Sequence, residues 1–271
     1  MKRISKIVIG LAVLGAVALF GTAAWARHRG GPQMFHHMVT AHIDEALEAA
    51  KATQPQKDAI HAAVEHVFAT LKDGHQDRAT EMEEALSLFQ AEKLDPNAVA
   101  AHRTKREAEM KKVGDAIVQA AFDAHDTLTA EQRRAVADYV RANHPDKGHF
   151  GGVKERFINK MVEERTNAAL DAISATPQQR ATVAAARDRV LSVMKDNHAD
   201  HGAQLEKLLA LFTADKVDSA QVDALRAEHL AKIHKVGDAI VQAVSDVHDA
   251  LSASQRKALV DFVRTNHPHH G

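Results

Sequence analysis

The chain of 271 residues has no cysteine, 45% hydrophobic and 4% aromatic residues, and a formal net charge of −1 at pH 7. The lack of cysteine excludes disulfides and thiolate nucleophiles, and the near-neutral charge gives no electrostatic basis for binding nucleic acid. Because Ala, Leu, Glu, Lys, Gln and Arg dominate and β-branched runs are few, the composition predicts an all-α fold.

The N-terminus has the organisation of an export signal. A basic segment precedes an apolar stretch at residues 7–20, and Ala24-Trp25-Ala26 fits the small-x-small cleavage rule. We therefore expect a signal peptide at 1–26, cleaved after Ala26. The alternative is an uncleaved membrane anchor, because residues 7–26 are about long enough to cross a bilayer. No later stretch is apolar enough to do so, which predicts no stable membrane insertion after cleavage.

Glycine and proline mark two segments outside the helical pattern. Residues 27–37, with the sequence RHRGGPQMFHH, are expected to form a flexible His/Gly leader. Residues 147–153, with the sequence KGHFGGV, are expected to form a Gly-rich linker. This linker would separate a first helical unit at 38–146 from a second at 154–271.

The two units are copies of one sequence. The segment KVGDAIVQA occurs at Lys112–Ala120 and again at Lys235–Ala243, 123 residues later. The same displacement pairs Thr53 with Thr176, and it pairs the Asn-His-Pro sequences that end the units. A repeat of this kind indicates a duplication. We therefore expect two copies of one fold in a single chain.

Each unit is expected to contain four helices, the second of them interrupted. In the first unit, the first helix runs from about Met38 to Lys51, and the second runs from after Thr53 to about Lys93 with a break near Asp73–His75. The third helix runs from Asp95-Pro96 to before Leu128, and the fourth runs from Thr129 to Asn143. The second unit has corresponding breaks near Asn197, Asp218 and Ser252.

The third helix of each unit carries its apolar residues on one face. They are Met110, Val113, Ile117, Ala121, Ala124 and Leu128 in the first unit, and Ile233, Val236, Ile240, Val244, Val247 and Leu251 in the second. Residues that recur every three or four positions share a helix face. Core packing is the expected role of this face, and a groove for a partner is the alternative.

A short motif opens four of the predicted helices. Thr or Ser is followed three positions later by Gln, at Thr53 and Gln56, Thr129 and Gln132, Thr176 and Gln179, and Ser252 and Gln255. This is the spacing of a capping box, in which the hydroxyl accepts from the N3 amide and the Gln side chain reaches back to the N-cap amide. The motif therefore predicts helix starts and not active sites.

Leu128 and Leu251 precede two of the boxes, giving LTAEQ and LSASQ. These sequences resemble the LTxxQ motif of the Spy/CpxP family of periplasmic proteins. The order of the helices, the earlier box in each unit and the export signal are also similar to that family. The similarity covers nearly all of the mature chain, once per unit. In the earlier boxes, Ala52 and Ala175 replace the Leu of the family motif.

The resemblance implies a four-helix subunit that forms a thin, curved, antiparallel dimer. It also implies a periplasmic, ATP-independent chaperone, an envelope stress-response protein, or a heavy-metal sensing or resistance protein. Because the unit is duplicated here, we expect the two copies to pair as an intramolecular pseudo-dimer with a cradle-like surface. The expected partners are unfolded or misfolded envelope proteins, and the alternative is a membrane sensor kinase.

A client-binding surface would combine apolar patches with mobile charges. The candidate cations are Arg103, Lys105, Arg106, Lys111 and Lys112 in the first unit, and Arg226, Lys232 and Lys235 in the second. The alternative for these residues is a solvated helix face with ion pairs to neighbouring glutamates. The sequence has no P-loop, Rossmann or hydrolase motif, which predicts a protein without enzymatic activity or a required cofactor.

Nineteen histidines make metal binding the alternative function. His36, His37 and His42 lie near the predicted mature N-terminus, and His198 and His201 are three positions apart, as residues on one helix face are. Imidazole suits Zn, Cu and Ni. The spacings do not form one closed motif, so solvated histidines with weak metal binding are the favoured interpretation.

Overall fold

The computed structural model describes residues 31–76, 78–143, 150–199 and 201–266, and within them the secondary structure is helical without a strand. The helices are α1 (Gly31–Ala49), α2 (Gln54–Gln76), α3 (Arg78–Gln90), α4 (Pro96–Thr127), α5 (Ala130–Asn143), α6 (Phe150–Ala172), α7 (Pro177–Ala199), α8 (His201–Thr213), α9 (Ser219–Ala250) and α10 (Ala253–Asn266). The predicted all-α class is confirmed.

The first helix begins earlier than the sequence predicts. Residues 31–37, expected in a flexible leader, form the first turns of α1. Phe35 explains this extension, because its ring packs edge-on against that of Phe68 in α2, with centroids 6.1 Å apart. Most helical stability in proteins comes from tertiary packing of this kind. Residues 27–30 of the expected leader, and the expected signal peptide, lie outside the described residues.

Other predicted breaks are also displaced. α6 begins at Phe150 and includes Gly151 and Gly152 of the expected linker, whereas residues 147–149 lie outside the described residues. α2 continues through Asp73–His75, and α7 continues past Asn197. The Asn197 side chain is buried, and its Nδ2 donates to the Lys232 carbonyl at 3.0 Å. A tertiary hydrogen bond thus keeps inside a helix a residue whose local preference is for turns and caps.

The chain forms two compact units that differ from the sequence repeats. The first is built from α1, α2, the part of α4 from Glu107 onward, α5 and α8. The second contains α3, the part of α4 up to Arg106, α6, α7, the part of α9 from Asp223 onward and α10. The short helices α3 and α8 are therefore exchanged, because each lies in the compact unit formed mainly by the other repeat. The expected pseudo-dimer stays a prediction.

Aliphatic residues from several helices form the core of the first compact unit. Val39 of α1, Val64 of α2, Val136 and Val140 of α5, and Leu209 of α8 are fully buried. Burying such a side chain contributes about 1.5–3 kcal/mol. Because Leu209 belongs to this cluster, the exchanged helix α8 is part of the core and not an appendage.

The buried cluster of the second compact unit is smaller, counted over the residues that the structure describes. Leu170, Ile173, Ala175 and Leu251 form it, and Phe89 of α3 packs against it. Here α10 packs against both α6 and the exchanged helix α3. The exchanged helix therefore also has a structural role in this unit.

Candidate functional site

The four capping boxes begin α2, α5, α7 and α10. At each box the backbone N–H of Thr or Ser donates to the Oε1 of the Gln three positions later, over 2.9–3.1 Å. At three of the boxes the Gln N–H donates back to the hydroxyl, over 3.2–3.3 Å. These bonds satisfy N–H groups that a helix N-terminus leaves unpaired. The structure thus places the motif residues at helix starts.

The two boxes of each repeat also interlock through their glutamines. Gln56 and Gln132 pair reciprocally, each Nε2 donating to the other Oε1 at 2.9 Å. Gln179 and Gln255 do the same at 2.7 and 2.9 Å. Gln56 Nε2 also donates to the Thr127 carbonyl at 2.8 Å, which ties the start of α2 to the end of α4. Sequence reasoning missed this pairing, because the separation of 76 residues in both repeats follows from the duplication and is not by itself a signal of contact.

A buried His and Arg hold the end of each exchanged helix. In the first compact unit, His125 Nε2 and Arg133 Nη2 contact the Ala214 carbonyl at 2.9 and 3.0 Å, just past the end of α8. In the second, His248 Nε2 contacts the Ala91 carbonyl at 3.0 Å and Arg256 Nη2 donates to the next carbonyl, that of Glu92, at 3.4 Å, both just past the end of α3. The carbonyls at a helix C-terminus lack intrahelical partners and attract positive charge. Each His-Arg pair therefore fastens a helix of one repeat to the other repeat.

Most of the candidate cations are held in ion pairs. In the second compact unit, Arg103 pairs with Asp238, and Lys232 lies 3.5 Å from Glu228. Lys105 and Arg106 lie 3.8 and 3.2 Å from the carboxylate of Glu81, which is buried. In the first, Lys111 lies 2.7 Å from Asp115 and Lys112 lies 2.9 Å from Glu109. Arg226 is half-buried and Lys235 is exposed. The pairs other than those of Glu81 have carboxylates that are not buried, and such pairs contribute about 0–1 kcal/mol each, so they open at small cost.

The N-terminal histidines have separate surroundings. His36 Nε2 lies 2.6 Å from Glu65 Oε1, and its ring packs on that of Phe68 with centroids 4.4 Å apart. His37 is exposed, whereas His42 is buried in the core of the first compact unit. The structure therefore does not bring these three imidazoles to one centre.

The remaining metal candidates, His198 and His201, have side chains outside the described residues. In the part of the chain whose side chains are described, no three His, Asp or Glu residues are grouped closely enough to hold a metal ion.

The second compact unit contains an open apolar groove of about 350 Å³. It is lined by Leu86 and Phe89 of α3, Val183, Arg187 and Val190 of α7, Ile240, Val244 and Val247 of α9, and Leu259 and Val263 of α10. Ile240 is 46% exposed. Core packing, the expected role of this face of α9, is therefore wrong for Ile240, which lies in a groove wall.

The corresponding residues of the first repeat form a closed core. Ile117, the counterpart of Ile240, is 5% exposed, and Val64, the counterpart of Arg187, is 1% exposed. Ile43 and Leu47 of α1 line the residual void in this core, which is about 20 Å³. The same helices thus enclose a filled core in one compact unit and an open groove in the other.

Within the described residues, none of the helices has the length and the apolar character that crossing a bilayer requires.

Two consecutive segments of the chain, residues 7–135 and 135–258, match the family described as heavy-metal resistance. The chain belongs to the heavy-metal resistance family. This is the Spy/CpxP-like family that the sequence resembles, and the double match confirms the tandem repeat. Members of the family are typically periplasmic. Neither the curated proteins nor the solved structures include a significant match to the chain.

Proposed function

We propose that the protein is a periplasmic, ATP-independent chaperone that holds unfolded or misfolded envelope proteins in the apolar groove. The observation that carries the proposal is the exposure of Ile240 in a wall of aliphatic side chains. Exposed apolar patches with a concave shape are typical of binding sites for proteins and ligands. The expected signal peptide would deliver the chain to the compartment in which family members occur.

The chemistry of the groove suits reversible holding. Unfolded proteins expose aliphatic side chains, and each one that becomes fully buried contributes about 1.5–3 kcal/mol. A few such contacts, less the cost of ordering the client, correspond to affinities in the micromolar range, near −8 kcal/mol. A client bound with this affinity can leave by dissociation, without energy from ATP hydrolysis. This fits the sequence, which has no nucleotide-binding motif. The exposed ion pairs of α4 and α9 would supply charges that steer clients and tune their affinity.

We propose binding without catalysis and without a required cofactor. Among the residues that the structure describes, the groove is lined by aliphatic side chains, Phe89 and the Arg187 guanidinium. Arg187 Nη2 lies 2.8 Å from Asp188 Oδ1, so its charge is engaged. None of these described side chains is a nucleophile or a general base.

Suppression of aggregation tests this proposal. The protein expressed from residue 27 onward is mixed with a chemically denatured model client in chelator, without ATP, and light scattering is followed. We expect suppression at a near-stoichiometric ratio, and its loss in the Ile240→Glu variant. Leu230→Glu is the matched control, because Leu230 is also an exposed aliphatic residue of α9, at 39%, and lies outside the groove. Equal suppression by both variants would exclude the groove as the holding site.

Metal binding is the second candidate function, supported by the family description and by the histidines of α1. His36 already has a carboxylate partner in Glu65, at 2.6 Å, which is a combination that binds Zn²⁺. Calorimetry with Zn²⁺, Cu²⁺ and Ni²⁺ on the wild type and on a triple His36→Ala, His37→Ala, His42→Ala variant tests it. Stoichiometric binding that the variant loses would favour this function. Absence of both metal binding and client holding would leave docking on a membrane sensor kinase.

A further inference from the structure

Three polar side chains converge where α1 packs against α5 in the first compact unit. The Tyr139 hydroxyl of α5 donates to Glu45 Oε2 of α1 at 2.6 Å. His42 Nδ1, one turn earlier on α1, lies 3.5 Å from the same oxygen. An imidazole, a carboxylate and a phenol are thus brought together from two helices, and each of these groups binds transition-metal ions in proteins.

The Nδ1 atom of His42 is not explained by packing alone. His42 is 6% exposed, and its Nδ1 is buried without a hydrogen-bond partner among the described residues. A buried polar atom without a partner costs about 1–3 kcal/mol. The distance of 3.5 Å to Glu45 Oε2 is too long for a strong hydrogen bond. A metal ion with bonds of about 2.0–2.2 Å to both atoms would span this distance and satisfy the nitrogen.

The second repeat shows that the fold does not need these groups. There α6 packs against α10, as α1 packs against α5. The residues that stand 123 positions after His42, Glu45 and Tyr139 are Arg165, Ala168 and Phe262. The aromatic ring is therefore kept in this repeat, whereas the imidazole, the carboxylate and the hydroxyl are replaced. Their presence together at one place in the first repeat favours a shared ligand.

We infer that His42, Glu45 and Tyr139 bind one divalent transition-metal ion, and that Cu²⁺ is bound most tightly. Mixed nitrogen and oxygen donors suit Cu²⁺ and Ni²⁺, and Cu²⁺ has the highest affinity in the divalent series. A bound cation favours the deprotonated form of an acid that it contacts. The metal therefore takes the place of the proton between Tyr139 and Glu45, and this proton passes to water.

The surroundings of the three side chains suit a cation. The phenolate and the carboxylate balance the two charges of the ion, as burial of a charge requires. The Glu45 side chain is 39% exposed, which gives the ion access from the solvent. The site does not include His36, which contacts Glu65, or His37, which is exposed.

This inference rests on the second candidate function, metal binding, and specifies its site. Visible absorption during titration with copper sulfate tests it. The chain contains a single tyrosine, so a charge-transfer band from phenolate to Cu²⁺ can come only from Tyr139. In the protein expressed from residue 27 onward, we expect this band to appear and to saturate. Copper bound to histidines elsewhere on the surface does not give the band.

Two variants take their new residue from the second repeat, where it is compatible with the fold. Tyr139→Phe should abolish the band. Glu45→Ala should weaken the copper binding that the band reports at least about tenfold, and so should His42→Gln, since even the loss of a supporting residue costs a metal site about 10–100-fold. Glu48→Ala is the matched control and should leave the band unchanged, because Glu48 is an exposed carboxylate of the same helix. Circular dichroism checks the fold of each variant.

The outcomes separate this site from metal binding elsewhere. Stoichiometric copper binding without the band would place the metal on other residues, so the inference would be wrong while the second candidate function would stand. A band that Glu45→Ala or His42→Gln leaves unchanged would also overturn the three-residue site. Absence of both the band and stoichiometric binding would contradict the inference and the second candidate function together.

Discussion

Ile117 and Ile240 occupy the same position in the two repeats, yet Ile117 is 5% exposed and Ile240 is 46% exposed. Their immediate sequences are identical over nine residues, so local sequence does not cause the difference. The difference comes from tertiary packing, since Ile117 belongs to the buried cluster that α1 shares, whereas Ile240 lies in the wall of the groove.

Truncation of these two isoleucines should therefore have unequal costs. Ile117→Ala leaves a cavity in a closed core and should lower the free energy of unfolding by about 2–5 kcal/mol. Ile240→Ala should lower it by less than about 1 kcal/mol, because much of this side chain is already in contact with water. Urea denaturation followed by circular dichroism measures both. Equal losses would mean that the groove is closed in solution.

The glutamine pair should behave as one energetic unit. Gln56→Ala and Gln132→Ala each remove the reciprocal amide bonds and a helix cap, so each should cost about 1–3 kcal/mol. Because the two residues contact each other, the double variant should cost less than the sum of the single variants by at least about 0.5 kcal/mol. Gln119→Ala is the control, since Gln119 is exposed and donates only to Asp123 along its own helix. Additive losses would show that the two boxes act independently.

Removal of Arg133 should loosen the exchanged helix α8. Arg133→Met keeps most of the side-chain volume but withdraws the donors from the carbonyls of Ala214 and Leu128, at 3.0 and 2.9 Å. We expect a loss of about 1–3 kcal/mol and faster amide hydrogen exchange in α8, measured by mass spectrometry. The neighbouring Arg134→Met is the control, because Arg134 is exposed. Unchanged exchange in α8 with Arg133→Met would show that this contact does not fasten the helix.

Stability should fall at alkaline pH because of Tyr139. Burial raises the pKa of Tyr139 above its ordinary value of about 10, and the Glu45 carboxylate, which accepts from its hydroxyl at 2.6 Å, raises it further. A raised pKa means that the folded state favours the neutral phenol. The stabilisation is therefore complete below pH of about 10 and is lost as the pH rises through the folded-state pKa.

The Tyr139→Phe variant checks this assignment. The midpoint of urea denaturation should change less between about pH 8 and about pH 11 for this variant than for the wild type, because these values lie on either side of the ordinary tyrosine pKa. Phe262 stands at the equivalent position of the second repeat, so an aromatic ring without a hydroxyl is compatible with the fold. An unchanged alkaline loss would assign it to other groups.

Much of the local structure could be predicted from the sequence. The capping boxes at Thr53, Thr129, Thr176 and Ser252 locate four helix starts, because N-cap chemistry depends on residues only three positions apart. The leader and linker predictions were less accurate, since Phe35 and Phe150 lie in helices that begin before the expected boundaries. Glycine is a poor local signal where tertiary packing extends a helix.

The candidate site was only partly accessible from the sequence. The period of the apolar residues predicts that Ile240 lies on one face of α9, but a core face and a groove wall have the same period. The sequence shows which residues of α4 are cations, but not that Arg106 and Arg103 pair with Glu81 and Asp238. The His-Arg contacts at His125 and His248 gave no recognisable pattern, because their partners are backbone carbonyls of a distant segment.

The sequence by itself determined the helical class, the duplication and the helix caps, because these depend on composition, on period and on neighbours within one turn. Only the tertiary structure decided that α3 and α8 are exchanged and that one of two equivalent cores is open. The hydrogen bonds that fasten the exchanged helices join residues 81–164 positions apart. The burial of an isoleucine depends on how distant segments pack around it, and two identical local sequences therefore have different exposures.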